Sequence, residues 1–169
     1  NGKTKINYNI IGLDHQSPYH SWHVHEFGDL SGGNDNGYFA GGHFVGSGDA
    51  KFIKDTYEVA YIGNSGSAGS YITTDSKGRS SGSIIDDDIQ LTGLNSIIGR
   101  SIVVHGVRMN GRGAWWSTRA ASCVVGRSIP ESKTNSREFE DDSGIYLAYL
   151  QPYPGYNGDL IGVSGVVTV

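Results

Sequence analysis

An all-β fold, a Greek-key antiparallel barrel or sandwich, is what this sequence predicts, and three observations carry the prediction. Glycine supplies 26 of the 169 residues and tyrosine ten, a composition suited to short strands joined by tight turns. Several short stretches alternate apolar and polar side chains with period 2. No stretch shows a convincing helical repeat. The length suits one domain, expected over residues 1–169, with a core large enough to need no disulfide or metal staple.

The strands are expected in this order. Residues 3–10, KTKINYNI, place Ile6, Tyr8 and Ile10 on one side. In residues 21–26, SWHVHE, Trp22, Val24 and Glu26 share one face, and Ser21, His23 and His25 share the other. Residues 28–48 are rich in Gly, Asn, Asp and Ser and read as a long loop. A strand is expected near 57–62. Two more, at 70–74 and 82–86, flank the hairpin-like turn DSKG. Residues 84–91 and 97–105 read as strands around TGLNS, and 119–126 as another. Residues 128–144 are polar, with Glu138, Glu140, Asp141 and Asp142 clustered, and read as a linker. The strands 145–150 and 160–169 close the chain, giving about eight in all.

Charge and cysteine content narrow the function. Seventeen acidic against 13 basic residues give a formal net charge of −4, so no basic face dominates and no nucleic-acid partner is expected. The single cysteine, Cys123, excludes an internal disulfide, a zinc finger and a thioredoxin-type pair. No apolar run approaches the roughly 20 residues that span a bilayer. Residue 1 is Asn, so the chain reads as a processed or excised piece, and a missing targeting segment carries no weight.

Six histidines remain: His15, His20, His23, His25, His43 and His105. His23 and His25 stand two apart on a strand, so both imidazoles lie on one face. His43 sits in AGGHF, where glycines let the backbone turn the ring inward. His105 ends the apolar strand SIVVH. Four neutral imidazoles suit copper, and also zinc or nickel. His15 reads as an ordinary surface residue.

These residues carry a resemblance. HSWHVHEFGD at 20–29 resembles the signature of the copper/zinc superoxide dismutase family, and AGGHF at 40–44 its bridging-histidine motif. IIDDDIQLTGLNSIIGRSIVVH at 84–105 is similar to the strand–turn–strand that delivers the last copper ligand. STRAASCVVG at 117–126 resembles the segment holding the active-site arginine. The resemblance implies a Greek-key β-barrel and copper ligands His23, His25, His43 and His105. It also implies an anion-guiding role for Arg119, and for His20 a structural role with hydrogen bonds to backbone.

The family pattern is broken in places. In the family His43 would bridge copper to zinc, and a zinc loop would add two histidines and an aspartate. No histidine lies between His43 and His105 here. Aligning YEVAYIGN, 57–64, with the end of the zinc loop puts Glu58 in a zinc histidine's place and Tyr61 in the aspartate's. One copper ion is therefore expected, and zinc is not. Copper-only members of the family resemble this arrangement, with a carboxylate accepting the N–H of the bridging ring's second nitrogen; Glu58 is expected to orient His43 in that way. Asp49 and Asp55 read as solvated loop acids. Gly37 and Ser122 occupy the family's cysteine positions, and Cys123 reads as a small buried hydrophobe. The stretch after His105, GVRMNGRGAWWS, is short and implies an open copper site, with Arg108 and Arg112 adding positive potential or merely solubility. Trp115 and Trp116 read as packing residues.

The chain ends are out of family order. GIYLAYL and DLIGVSGVVTV resemble the family's first two strands yet stand last. The expectation is that this C-terminal segment supplies those strands, as in a permuted domain or one cut from a tandem array, as a monomeric unit or with strand exchange between copies. Copper-only superoxide dismutase repeat proteins are the nearest resemblance, and they imply an extracellular or cell-surface location. The activity expected is dismutation of superoxide to oxygen and hydrogen peroxide, with Arg119, His43 and Glu58 as the residues acting beside copper. The alternative is a non-catalytic copper-binding or structural extracellular repeat domain, or an interaction module presenting Tyr146, Tyr149, Tyr153 and Tyr156.

Overall fold

Alternation sets the first strand. In β1, Thr4–Ile11, Ile6 and Ile10 are buried while their neighbours face outward, and Tyr8 meets the Trp22 ring edge-on at 5.0 Å. The computed structural model describes residues 3–17, 19–31, 38–45, 62, 71–106, 119–127, 146–152 and 162–168. Eight further strands follow: β2 Tyr19–His25, β3 Tyr71–Thr73, β4 Ser80–Asp86, β5 Ser101–His105, β6 Arg119–Val124, β7 Gly126–Arg127, β8 Tyr146–Pro152 and β9 Ser164–Thr168. The one helical element among the described residues is a 3₁₀ turn, Tyr38–Ala40. The strand order is β3-β2-β5-β6-β8-β9-β1-β4, every pairing antiparallel, with the short β7 also paired to β8. Neighbours that are distant in sequence, such as β2 with β5 and β1 with β4, are the Greek-key signature.

The C-terminal strands do what their resemblance implies. β9 pairs with β1, from Asn7↔Thr168 to Ile11↔Ser164. β8 pairs with β9 and with β6. They fill the gap between β6 and β1, and Leu150 and Val167 enter the common core with Ile6, Trp22, Val24, Ile72, Ile102 and Val104. Each such side chain contributes about 1.5–3 kcal/mol on burial.

Three expectations need correction. The strands flanking DSKG form no hairpin: β3 pairs with β2 and β4 with β1, so the turn joins the two end strands of the described sheet, a nearly closed barrel. Asp75 builds the turn, its Oδ1 accepting the amides of Lys77 and Arg79 at 2.8 Å each. Second, β4 stops at Asp86 and β5 starts at Ser101, so neither expected strand reaches TGLNS. The fully buried Asp86 carboxylate ends β4 by accepting the amides of Asp88 and Ile89 at 2.8 and 2.7 Å, which curls the chain out of the sheet. Third, the final strand begins at Ser164 rather than 160. The strand expected near 57–62 and the linker 128–144 lie outside the described residues, apart from Ile62, which is in a turn and buried in the core.

Candidate metal centre

Every residue of β2 after Tyr19 is buried, although its side chains alternate between two faces. Trp22 and Val24 point into the barrel core. His23 and His25 face the other way and are covered by the segment 40–44, which pairs along the edge of β2 that β3 leaves after Ser21. The amide of Phe44 donates to the Val24 carbonyl at 2.9 Å, that of Glu26 to Gly42 at 3.0 Å, and that of Phe27 to Ala40 at 2.9 Å. A bridge between His25 and His43 completes this seam. The seam demands glycine at position 41. Its φ is +76°, and a Cβ there would stand 2.6 Å from Glu26 Oε2, a conformation and a clearance that L side chains do not tolerate.

β5 brings the fourth imidazole. Val104 faces the core, so His105 faces the histidines. The pairing of β5 with β6 slips at this point: Val104 opposes Ala121, but His105 opposes Arg119. The extra residue is Ala120, and both Ala120 and Ala121 lie in the core. In a regular strand Arg119 would share the core-facing side of Ala121. The bulge turns it to the histidine side instead.

Four imidazoles thus converge. His23, His25, His43 and His105 each offer a ring nitrogen, and these atoms all lie within 4.8 Å of one another. The rings of His23 and His43 stack at 4.0 Å between centroids, and His23 meets His105 edge-on at 5.0 Å. His25 Nε2 is 3.4 Å from His105 Nε2. All four are held neutral. Burial first, then the nearby His43 and His25, lowers His23 to about 2. Burial and the Arg119 guanidinium lower His25 to about 3, against the opposing pull of the Gly41 carbonyl. The same two causes lower His43 to about 4. Burial and its charged neighbours hold His105 well below the usual imidazole range.

One backbone atom orients the site. The Gly41 carbonyl accepts from Arg119 Nη2 at 2.6 Å and lies 3.1 Å from His25 Nδ1. A carbonyl only accepts, so His25 carries its proton on Nδ1 and turns the lone pair of Nε2 toward the cluster. His105 Nδ1 is buried and makes no hydrogen bond among the described residues. A neutral, desolvated set of imidazole lone pairs aimed at one point fits a bound copper, nickel or zinc ion.

The chain matches the model of the copper/zinc superoxide dismutase (SODC) family over residues 1–121. It belongs to the copper/zinc superoxide dismutase family. Curated relatives include the Cu-Zn superoxide dismutases of Botryotinia fuckeliana, 38% identical over 105 residues and 62% of each chain, and Neurospora crassa, 36% over 102 residues and 60% of each. That of Yarrowia lipolytica is 36% identical over 109 residues, again 62% of each. The chain therefore spans about 60% of the length of the superoxide dismutases it matches.

Within this superoxide dismutase barrel, the four histidines and Arg119 are brought together. His20 is buried and spans two carbonyls, with Nδ1 3.2 Å from His105 O and Nε2 3.3 Å from Asp14 O, so it ties β2 to the end of β5. His15 is exposed. Cys123 is fully buried, and desolvation pushes its thiol up to about 12, which leaves it inert. Glu58, Asp49, Asp55, Tyr61, Gly37, Arg108, Arg112, Trp115 and Trp116 lie outside the described residues. Of the candidate tyrosines, Tyr149 is exposed on β8.

Two contributors escaped the sequence reading. One is the Gly41 carbonyl. The other is Arg100, whose guanidinium bonds the carbonyls of Glu26 and Ser96 at 2.5 and 3.0 Å and lies 3.5 Å over the Phe44 ring. It thereby clamps the residues that follow His25 and His43. Adjacent glycines before His43 were a signal for the first, and the motif IIGR gave none for the second.

Proposed function

We propose that this domain dismutes superoxide at a single copper ion held by His23, His25, His43 and His105. The observation that carries the reading is the convergence of four neutral buried imidazoles with one guanidinium that shares the Gly41 carbonyl with His25. Bound copper supplies a one-electron redox couple, by which two superoxide ions become dioxygen and, with two protons, hydrogen peroxide.

The protein's part is access, charge and proton handling. Arg119 places a fixed positive charge beside the cluster, which draws a small anion and holds it against the imidazoles. Its hydrogen bond to Gly41 keeps the guanidinium from swinging away. His43 is only half-buried, unlike the other three, so its ring is the one of the four that can exchange a proton with solvent during turnover. Glu58 is assigned the orientation of His43 by accepting the N–H of the ring nitrogen that does not face the copper.

The same reading takes the site to be copper-only and the domain to be of the repeat-protein type found outside cells. It is supported by the absence of any histidine between His43 and His105 and by the resemblance that sets Glu58 and Tyr61 against the family's zinc ligands. Purified chain offered copper and zinc together and then dialysed should retain about one copper and no stoichiometric zinc. Tightly held zinc that is lost on Glu58→Gln would contradict the copper-only assignment. One copper without dismutation would favour the second reading, a copper-binding domain with no activity.

A further inference from the structure

We propose that Glu26 is a positioning residue for anion capture: its carboxylate fixes the Gly41–Gly42 corner whose carbonyl holds Arg119. The inference rests on the copper site proposed above and deepens it.

Glu26 directly follows His25 and is only half-buried, so a solvated surface acid would be its plainest role. Its contacts are more specific. Oε2 accepts the amide of Gly42 at 3.0 Å, and the Glu26 amide donates to the Gly42 carbonyl at 3.0 Å. The residue thus grips both polar groups of Gly42 with its own side chain and backbone. Gly41, one residue earlier, has positive φ, and the space beside its Cα is filled by Glu26 Oε2 and Cβ and by Phe27 Cδ2. A glycine pair is intrinsically free to rotate its peptide planes. The Gly41 carbonyl belongs to the Gly41–Gly42 peptide, and the amide that Glu26 holds is the other end of that same planar unit. Fixing the amide therefore fixes the carbonyl, and with it the anchor of Arg119 Nη2 at 2.6 Å and of His25 Nδ1 at 3.1 Å. The path from carboxylate to guanidinium is two hydrogen bonds across one rigid peptide.

The test uses the full chain loaded with copper(II) and titrated with azide, a small anion that reports on the pocket through the copper absorption and EPR spectra. Glu26→Ala removes the acceptor and should weaken azide binding about three- to tenfold, the worth of one hydrogen bond, with copper still bound. Glu26→Gln keeps an acceptor oxygen at the same reach and should stay within about twofold of wild type. If Glu26 acts through Arg119, adding Glu26→Ala to Arg119→Ala should cost little more than Arg119→Ala alone. Exchange of the Gly42 amide, followed by NMR in the metal-free chain, should speed up in Glu26→Ala and not in Glu26→Gln. Should Glu26→Ala fail to fold, Glu26→Asp, one methylene shorter, reads the same contact. Unchanged azide affinity in Glu26→Ala, equal losses in the Ala and Gln variants, or full additivity with Arg119→Ala would each overturn the role of Glu26. A wild type that takes up no copper would instead overturn the site reading on which the role rests.

Discussion

The histidines divide by what a side chain can announce about its neighbours. His23 and His25 were legible because period 2 puts them on one face whatever the rest of the barrel does, and β2 keeps that alternation. Arg119 was assigned by resemblance alone, and its orientation follows from a bulge that no single residue type signals. The adjacent glycines before His43 mark a bend, but every residue has a carbonyl, and which one becomes a shared acceptor depends on tertiary placement. Arg119 is not a ligand, so Arg119→Ala should leave copper bound while lowering dismutation about fivefold or more. Raised salt should slow the wild type and affect the variant less, because screening acts on attraction already removed. Measuring rate against ionic strength for both proteins checks this, and parallel salt profiles would remove Arg119 from anion capture.

Strands were easier to find than their partners. Alternating residues located β1 and β2, and the apolar, β-branched run at 101–104 located β5, but pairing is a property of the barrel, and the DSKG turn shows the difference. A tight turn between two strands suggests a hairpin, yet β3 and β4 sit at opposite ends of the described strand order. The stretch after Asp86 misled for a related reason: its apolar residues Ile89 and Ile97 are buried without being in strands, because Asp86 caps the turn that carries Ile89 and the Gln90 carbonyl holds the Ile97 amide at 2.9 Å. The bulge in β6 offers a direct test. Deleting Ala120 restores regular pairing with β5 and leaves Arg119 next to Ala121, opposite His105 and on the histidine side by simple alternation. The expected result is a folded or partly destabilised protein that holds copper and binds azide close to the wild type. An affinity as low as that of Arg119→Ala would show that the slip itself, and not the face it gives Arg119, places the guanidinium.

The barrel as a whole is completed by β8 and β9, which stand last in sequence and between β6 and β1 in space. Without them two strand edges and the core around Ile6 and Ala121 would be open, a combination that invites association. A chain ending after residue 127 should therefore lose cooperative melting and aggregate, as followed by calorimetry and light scattering. A truncated protein that melts cooperatively as a monomer would contradict this view of the fold. The histidine face, by contrast, is assembled from β2, β5, β6 and the segment 40–44, and its chemistry depends on all four being held at once. The most direct test is the rate of superoxide decay, followed by stopped-flow with the zinc-free, copper-loaded chain and a chelator that silences free copper. The proposed function predicts catalysis that is proportional to bound copper and unchanged when zinc is added. A rate no greater than that of the chelated-copper control, or one that appears only with zinc, would contradict it.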